Sequence, residues 1–557
     1  MFTPVAPARD ALSVIYAYPN DYTVGICSLG YQLVWAFFQT RPDIACTRMF
    51  MDAHEDLPQR PDLLGFSLSW ELDYVNLLSQ LGRLGIPILA SERTSEHPLV
   101  FGGGPVLTAN PEPFAAFFDV VLLGDGEDSI AAFVDAIAAT KDTESGPASR
   151  EARIARLKSL SQVPGVYAPL LYEPEYAAAG GPLTGVHPID GDVAPFVEKQ
   201  TYRGNQLARS TVVSPLMAWE NIYMVEVVRS CPEMCRFCMA SYLTLPFRTA
   251  PLNDSLIPAI EAGLAVTDRI GLLGASVTQH PQFDELLQYM VAEERAHVRM
   301  SIASVRTNTV TPQLAAALAS RGTKSVTVAV ESGSERMRRI VNKKLAQEDI
   351  ITCAANAQEG GLQSLKLYGM VGVPGEEEED VDATIALMQA VKAAAPKLRL
   401  TLGCSTFVPK SHTPFQWWGV SPKADKRLKR LEKVLGREGI QFRPESYKWS
   451  LVQALLSRGD RRLTSLLLQV REYGDTLGAF RRAFKDLEGT LPLMDYYVHR
   501  NMTPGQDVLP WVHLHGPLPE ATLVKHAQEA VQIMDSARDE ADAGSVRTRL
   551  GAAPVAA

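Results

Sequence analysis

The sequence predicts an α/β protein: a doubly wound domain, then a partial β/α barrel, then a mostly helical region. Three observations carry this. Short apolar runs alternate with helical patterns over residues 12–138, a second such series begins near residue 220, and from about 422 helical periodicity takes over. At 557 residues the chain has room for about three or four domains.

In the first series, SVIYAYP (13–19), ACTRMFM (45–51), LLGFSLS (63–69), PLVFGGG (98–104) and DVVLLGDGE (119–127) read as strands. ICSLGYQLVWAFFQ (26–39) and ELDYVNLLSQLGRLG (71–85) read as helices. Residues 1–140 thus form the doubly wound domain, with glycines just after strand ends, where open α/β sheets bind ligands. TKDTESGPASREAR (140–153) is polar and carries Gly and Pro, so it is expected to be a linker or exposed turn. It opens a bridging segment, 141–217, broken by AGGP and DGD.

The barrel is expected over 218–421. Its six strands are IYMVEVV (222–228), DRIGLLG (268–274), HVRMSIAS (297–304), SVTVAVE (325–331), SLKLYGMV (364–371) and LRLTLGCS (398–405). Active sites on such frameworks lie at the C-terminal strand ends. Residues 422–536 read as the helical region, and 537–557, rich in Ala and charge, as a fraying tail.

Composition narrows the function classes. Hydrophobic content of 46% and charged content of 21% are those of an ordinary globular chain. A net charge of −9 implies no global attraction to nucleic acid or acidic membranes, though a local basic patch is compatible with it. No apolar run approaches the ~18–20 residues that span a bilayer. The N-terminus lacks the parts of a signal peptide, so the expected location is the cytoplasm.

Of seven cysteines, Cys231, Cys235 and Cys238 fall within VEVVRSCPEMCRFCMASYL (225–243), directly after a barrel strand. An odd count with one tight group does not read as a disulfide framework. Three thiolates can hold three irons of a cubane and leave the fourth open for an outside ligand, as catalytic metal sites leave a position open. A fourth ligand from Cys353 or Cys404 stays open, as does a zinc site short of one ligand. The nearest histidines are distant, at 187 and 280.

C-x3-C-x2-C with Phe237 before the last cysteine resembles the radical SAM superfamily. The resemblance implies a 4Fe–4S cluster on Cys231, Cys235 and Cys238, S-adenosylmethionine (SAM) chelating the open iron, and reductive cleavage of SAM to a 5′-deoxyadenosyl radical. It implies an electron donor such as flavodoxin or ferredoxin. Phe237 would touch the adenine. Later segments resemble family motifs in order: LLGASVTQHP (272–281), SIASVRTN (301–308), VAVESGSERMRRIVNK (328–343), KLYGMVGVPGEEEED (366–380) and TFVPKSHTPFQW (406–417). On that basis SAM contacts are expected at Gly274, Ser276, Ser304, Arg306, Glu331, Ser334 and Gly372. Each has a plainer reading: Gly372 and Gly375 as turn glycines, Glu331 as an ordinary strand-end carboxylate, Arg306 as a surface arginine, and Glu376–Glu379 as a solvated helix start.

The N-terminal segments PNDYTVGICSLGYQLVWAFF, GFSLSWELDYVN and VFGGGPVLTANPEPFAAFFDVVLLGDGEDS, with LLSRGDRRL (455–463), resemble a radical SAM group with a cobalamin-binding-like, flavodoxin-like domain. The resemblance implies cobalamin against the strand-end loops, at Ser67, Ser69, Gly102, Gly103, Gly104, Thr108, Gly124 and Gly126. The alternative is a domain that kept the fold and lost the cofactor. DAHEDL (52–57) carries Leu57 where the cobalt-histidine motif has glycine, and follows the second strand rather than the first. His54 is therefore expected to be a loop histidine.

The helix 423–438 holds seven Lys/Arg against three Asp/Glu, and RGDRR (458–462) adds charge. These read either as a surface for a phosphate-rich substrate such as RNA or as a solvated face. Phe415, Trp417 and Trp418 line the barrel mouth or pack beside it. Three functions follow: a radical SAM enzyme with cobalamin, in the first place a methyltransferase; a cobalamin-free radical SAM enzyme acting on a small molecule or RNA; or a non-catalytic metal- or nucleic-acid-binding protein.

Overall fold

The computed structural model describes residues 2–140, 149–303 and 305–550, with side chains as far as 536. Strands β1 (Leu12–Ala17), β2 (Ile44–Met49), β3 (Leu63–Ser67), β4 (Leu99–Gly103) and β5 (Val120–Leu122) make a parallel sheet in the order β2–β1–β3–β4–β5. β6 (Val166–Tyr167) adds to β5 antiparallel. All five residues of β3 are buried, as expected of a central strand covered on both faces. Strand order reverses between β1 and β3, which opens a crevice at the C-terminal strand ends.

The expected linker 140–153 is described only in part, because 141–148 lie outside the described residues. Ser149 already caps the helix Arg150–Leu160, its hydroxyl accepting from the Ala152 amide at 3.1 Å. The bridging segment holds an antiparallel pair, β7 (Tyr172–Tyr176) and β8 (Leu183–Pro188), and then β9 (Val197–Glu198).

The barrel is built from two parallel sheets. β10 (Ile222–Glu226) is the edge strand of the first; β11 (Val228–Arg229) and β12 (Arg248–Thr249) make a small antiparallel pair after it. β13 (Arg269–Leu273) and β14 (Arg299–Ile302) complete the first sheet. β15 (Ser325–Glu331), β16 (Ser364–Val371), β17 (Arg399–Thr406) and β18 (Gln441–Pro444) form the second. Side chains alternate across these strands. Val326, Val328, Leu365, Leu367, Leu400 and Leu402 join the buried core under the helices. Their sequence neighbours face the lumen.

β18 was not expected. QFRP has one large apolar residue and lies within the region read as helical, yet it pairs parallel to β17 from Thr401↔Gln441 onward. An edge strand of this kind has no alternating pattern to announce it. β19 (Leu514–His515) pairs with β9. The final helix runs Glu520–Leu550, so backbone helix continues into the expected tail; 551–557 lie outside the described residues. Among the described residues no helix is long and apolar enough to cross a membrane.

The basic helix is mostly a solvated face, with Lys423, Lys426, Lys429, Lys433 and Arg437 exposed, but two of its arginines turn to the acidic run. Arg427, 1% exposed, pairs with Glu376 at 2.7 Å and Glu378 at 3.2 Å, and Arg430 reaches Glu378 at 3.1 Å. The acidic run is therefore no simple solvated helix start: Glu376 is buried, and the basic helix Ala424–Arg437 neutralises it. RGDRR is neither a phosphate surface nor a solvated face. Arg461 pairs with Glu112 at 3.1 Å and Arg462 with Asp460 at 2.7 Å. Arg458, 1% exposed, donates to the carbonyls of Tyr497 (2.7 Å), Val498 (3.3 Å) and Arg500 (2.8 Å).

Arg458→Met would take the donor from the Tyr497 and Arg500 carbonyls, while the Val498 carbonyl keeps the Val420 amide at 2.8 Å. It is expected to lower stability by roughly 2–4 kcal/mol, read as a shift in the urea midpoint. An unchanged midpoint would mean that the carbonyls do not depend on the guanidinium.

Candidate active site

The cysteine loop leaves the C-terminal end of β10, where the chain turns at Ser230 (φ 70) and Met234 (φ 56). Its shape is held from several sides. Asn342 donates from Nδ2 to the carbonyls of Glu233 (3.2 Å) and Met234 (2.8 Å). The Arg236 guanidinium donates to the carbonyls of Arg339 (3.0 Å) and Ile340 (2.9 Å) and to Glu529 (2.9 Å). The Tyr242 hydroxyl sits 3.2 Å from the Met234 carbonyl and 2.9 Å from His526 Nδ1. The C-terminal helix thus reaches the loop through Glu529 and His526.

Cys231, Cys235 and Cys238 line one cavity of about 240 Å³ at the barrel's strand ends. All seven cysteines are free thiols. Burial pushes Cys235 up to about 12, with the Lys343 ammonium opposing, and burial also raises Cys238. Buried thiols around a common space form a soft donor set suited to iron or zinc. Among the described residues no three His, Cys, Asp or Glu donors converge on a single ion. A cubane seats each thiolate on a different iron and does not ask for such convergence.

Phe237, Ser276, Arg306 and Glu331 line the same cavity. Glu331 has φ 63 at an irregularity in the β15–β16 register, a conformation that costs a non-glycine residue of order 1–3 kcal/mol. Its carboxylate is held by Lys343 at 3.0 Å. Arg306 is no surface arginine; it pairs with Glu233 at 2.7 Å and donates to the Lys344 carbonyl at 2.8 Å. Gln279 donates to Glu233 at 2.5 Å and accepts from the Ser276 hydroxyl.

Three expected SAM positions fall elsewhere. Ser334 caps the helix Glu335–Ile340 and donates to Asp380 at 2.6 Å, away from the cavity lining. Gly372 is a turn glycine with φ 76; its amide donates to Glu376 at 2.5 Å, and a Cβ there would lie 2.9 Å from that of Ala424. Gly274 lines a second, larger cavity. Ser304 lies outside the described residues. Glu233, Lys343, Asn342 and Tyr368 were missed, although Lys343 and Asn342 end the VAVESGSERMRRIVNK segment and Glu233 sits inside the cysteine motif.

The larger cavity, about 610 Å³, lies between the strand ends of the two α/β units. Ser67, Ser69, Gly103, Gly104, Thr108, Gly124 and Gly126 all line it, facing Leu243, Leu273 and Gly274 from the barrel side. Gly102 does not: a Cβ there would meet Leu107 and Phe118 at 2.5 Å. The lining glycines divide into two kinds. At Gly104 (φ 104) a Cβ would meet the Leu68 carbonyl at 2.6 Å, and at Gly124 (φ 109) the Gln200 carbonyl at 2.1 Å, so the chain's own backbone requires both. At Gly103 and Gly126 the nearest atoms stand 3.8 and 3.5 Å away. Packing does not demand glycine there, and its effect is to widen the cavity. His54 is exposed, makes a 2.8 Å contact to the Glu55 carbonyl, and does not line it. Phe415 and Trp417 are buried packing residues, with Phe415 edge-on to Trp418 at 5.0 Å.

Ala240, two residues after Cys238, lines both cavities, so they adjoin at the cysteine loop. Ion pairs lock the junction: Asp125 with Arg248 at 2.6 Å, and Arg229 with Glu127 and Glu226, each at 2.7 Å.

Residues 30–169 match the family described as radical SAM proteins, N-terminal, and residues 225–388 match the radical SAM superfamily. An uncharacterized protein of Methanocaldococcus jannaschii is 26% identical over 459 residues, 82% of this chain and 90% of that one. A tRNA-2-methylthio-N(6)-dimethylallyladenosine synthase of Sorangium cellulosum is 27% identical over 191 residues, 30% of this chain and 38% of that one. Among solved structures, the fold is similar to the radical SAM methyltransferase TsrM from Kitasatospora setae, solved with cobalamin and a 4Fe–4S cluster. That match has TM-score 0.52 and 14% identity, and covers 95% of this chain and 100% of that one. The cysteine loop at the strand ends, the barrel beneath it and the two matched regions agree: the chain belongs to the radical SAM superfamily.

Proposed function

We propose that the protein is a cobalamin-dependent radical SAM methyltransferase of the cytoplasm, served by a flavodoxin- or ferredoxin-type electron donor. The observation that carries this is the junction of two cavities at Ala240: one lined by three cysteine thiols, the other in part by Gly103 and Gly126, which packing does not require to be glycine. A cluster on Cys231, Cys235 and Cys238 with SAM would supply reductive cleavage, and a corrin in the larger cavity a transferable methyl group.

The chain's own residues do the positioning. Asn342, Arg236 and Tyr242 hold the loop so that three thiols face one space. Glu331, fixed by Lys343 and its strained backbone, presents a carboxylate suited to SAM's amino group. Arg306, although paired with Glu233, lines the same cavity as a cation suited to a carboxylate. Gly103 and Gly126 leave room for a planar ring edge, and the apolar residues Leu243 and Leu273 close the barrel side against water.

Cys235→Ala is expected to abolish iron binding and 5′-deoxyadenosine formation while the circular dichroism spectrum is preserved. SAM cleavage persisting in that variant would contradict the assignment. Gly103→Val should fold and retain iron but lose corrin by more than tenfold, measured as corrin per chain after gel filtration; unchanged corrin would place any such cofactor elsewhere. Glu331→Gln should weaken SAM binding about tenfold, the loss of one charge-assisted contact, at unchanged iron content. Equal SAM affinity would remove Glu331 from that role.

A further inference from the structure

The barrel lumen carries a charge pattern that neither the cluster nor the larger cavity uses. On β16 and β18 the alternation that buries Leu365 turns Lys366 and Arg443 to the lumen face; Arg269, Arg299 and Arg399 take the same face at the N-terminal ends of β13, β14 and β17, the end opposite the cysteine loop, where Arg269 donates to the Glu220 carbonyl. Among the described residues none of the five stands within 4.0 Å of a carboxylate. The strand-borne acids on that face, Glu226 and Glu331, are already paired with Arg229 and Lys343. An open basic lumen in a chain of net charge −9 is a local reversal of sign, and a low-dielectric cleft focuses such a field on incoming anions.

Two rows of this patch are in register. Lys366, Thr401 and Gln441 stand side by side, as do Tyr368, Gly403 and Arg443. Lys366 Nζ donates to the Tyr368 hydroxyl at 2.7 Å, and Arg443 donates to Gln441 Oε1 at 3.2 Å. The missing side chain at Gly403 accommodates Tyr368: a Cβ there would stand 3.0 Å from its ring. Tyr368 is 45% exposed and also lines the cluster cavity. Through Tyr368 the second row reaches the space where the radical SAM reading puts the chemistry, and Lys366 joins it by its bond to the Tyr368 hydroxyl.

We propose, resting on that reading, that the lumen binds a small anionic substrate, one bearing a carboxylate or phosphate. Lys366 and Arg443 anchor the anion, and Tyr368 forms the wall shared with the cluster cavity. The anchor leaves the substrate's other end directed at the cysteine loop.

The test uses full-length, anaerobically reconstituted protein. Iron content and 5′-deoxyadenosine formation are recorded first, so that failure of the radical SAM reading is seen by itself. Citrate, phenyl phosphate, neutral benzamide and a 12-nucleotide RNA are then titrated by calorimetry. Saturable binding of citrate or phenyl phosphate but not benzamide is expected, and the stronger of the two names the anionic group. In Lys366→Gln/Arg443→Gln that binding should weaken about tenfold or more, with Lys366→Arg retaining it. Unchanged binding in the double variant, no binding of either anion to the wild type, or binding of the RNA alone would overturn the proposal.

Discussion

Asp125 stands just beyond β5 of the doubly wound domain and accepts Arg248 of the barrel at 2.6 Å; its neighbour Glu127 takes Arg229 at 2.7 Å. The rest of the site depends on this clasp. It turns the strand ends of two α/β units toward each other, so that two ligand crevices become adjoining chambers. These carboxylates and guanidiniums are largely removed from water. Breaking one partner would strand a charge, and the geometry is correspondingly rigid.

The second constraint is local. Three cysteines spaced as C-x3-C-x2-C face one cavity because residues remote in sequence hold the loop between them. Asn342 takes two loop carbonyls, and Arg236 bridges to Ile340 and to Glu529 on the last helix. The C-terminal helix is thus part of the loop's support, and the helical region secures the site as well as covering the core.

Much of this was legible in the sequence, for identifiable reasons. The strands of both α/β units are apolar runs bounded by Gly and Pro, and buried parallel strands leave that trace. The cysteine spacing announced the loop, and the strand-end glycines announced the larger cavity. What escaped notice depends on contacts between residues well separated in sequence, from 39 to 349 positions apart. The charge of RGDRR looked like surface until Arg458 met three carbonyls and Arg461 met Glu112. The basic helix is solvated along most of its charge, but nothing in its pattern set apart Arg427, which turns inward to Glu376. Ser334 was expected at the SAM site but serves as a helix cap, a role its residue type fits equally well. β18 left no pattern because an edge strand with one apolar residue has none to leave.

The central claim is that cluster chemistry and corrin chemistry share the junction at Ala240. The most direct measurement is metal and corrin content on one anaerobically reconstituted preparation given cobalamin, followed by reductant and SAM. The account predicts four irons and one corrin per chain, with 5′-deoxyadenosine formed. Iron and SAM cleavage without bound corrin would contradict the shared junction, and zinc without iron or SAM cleavage would contradict the account as a whole.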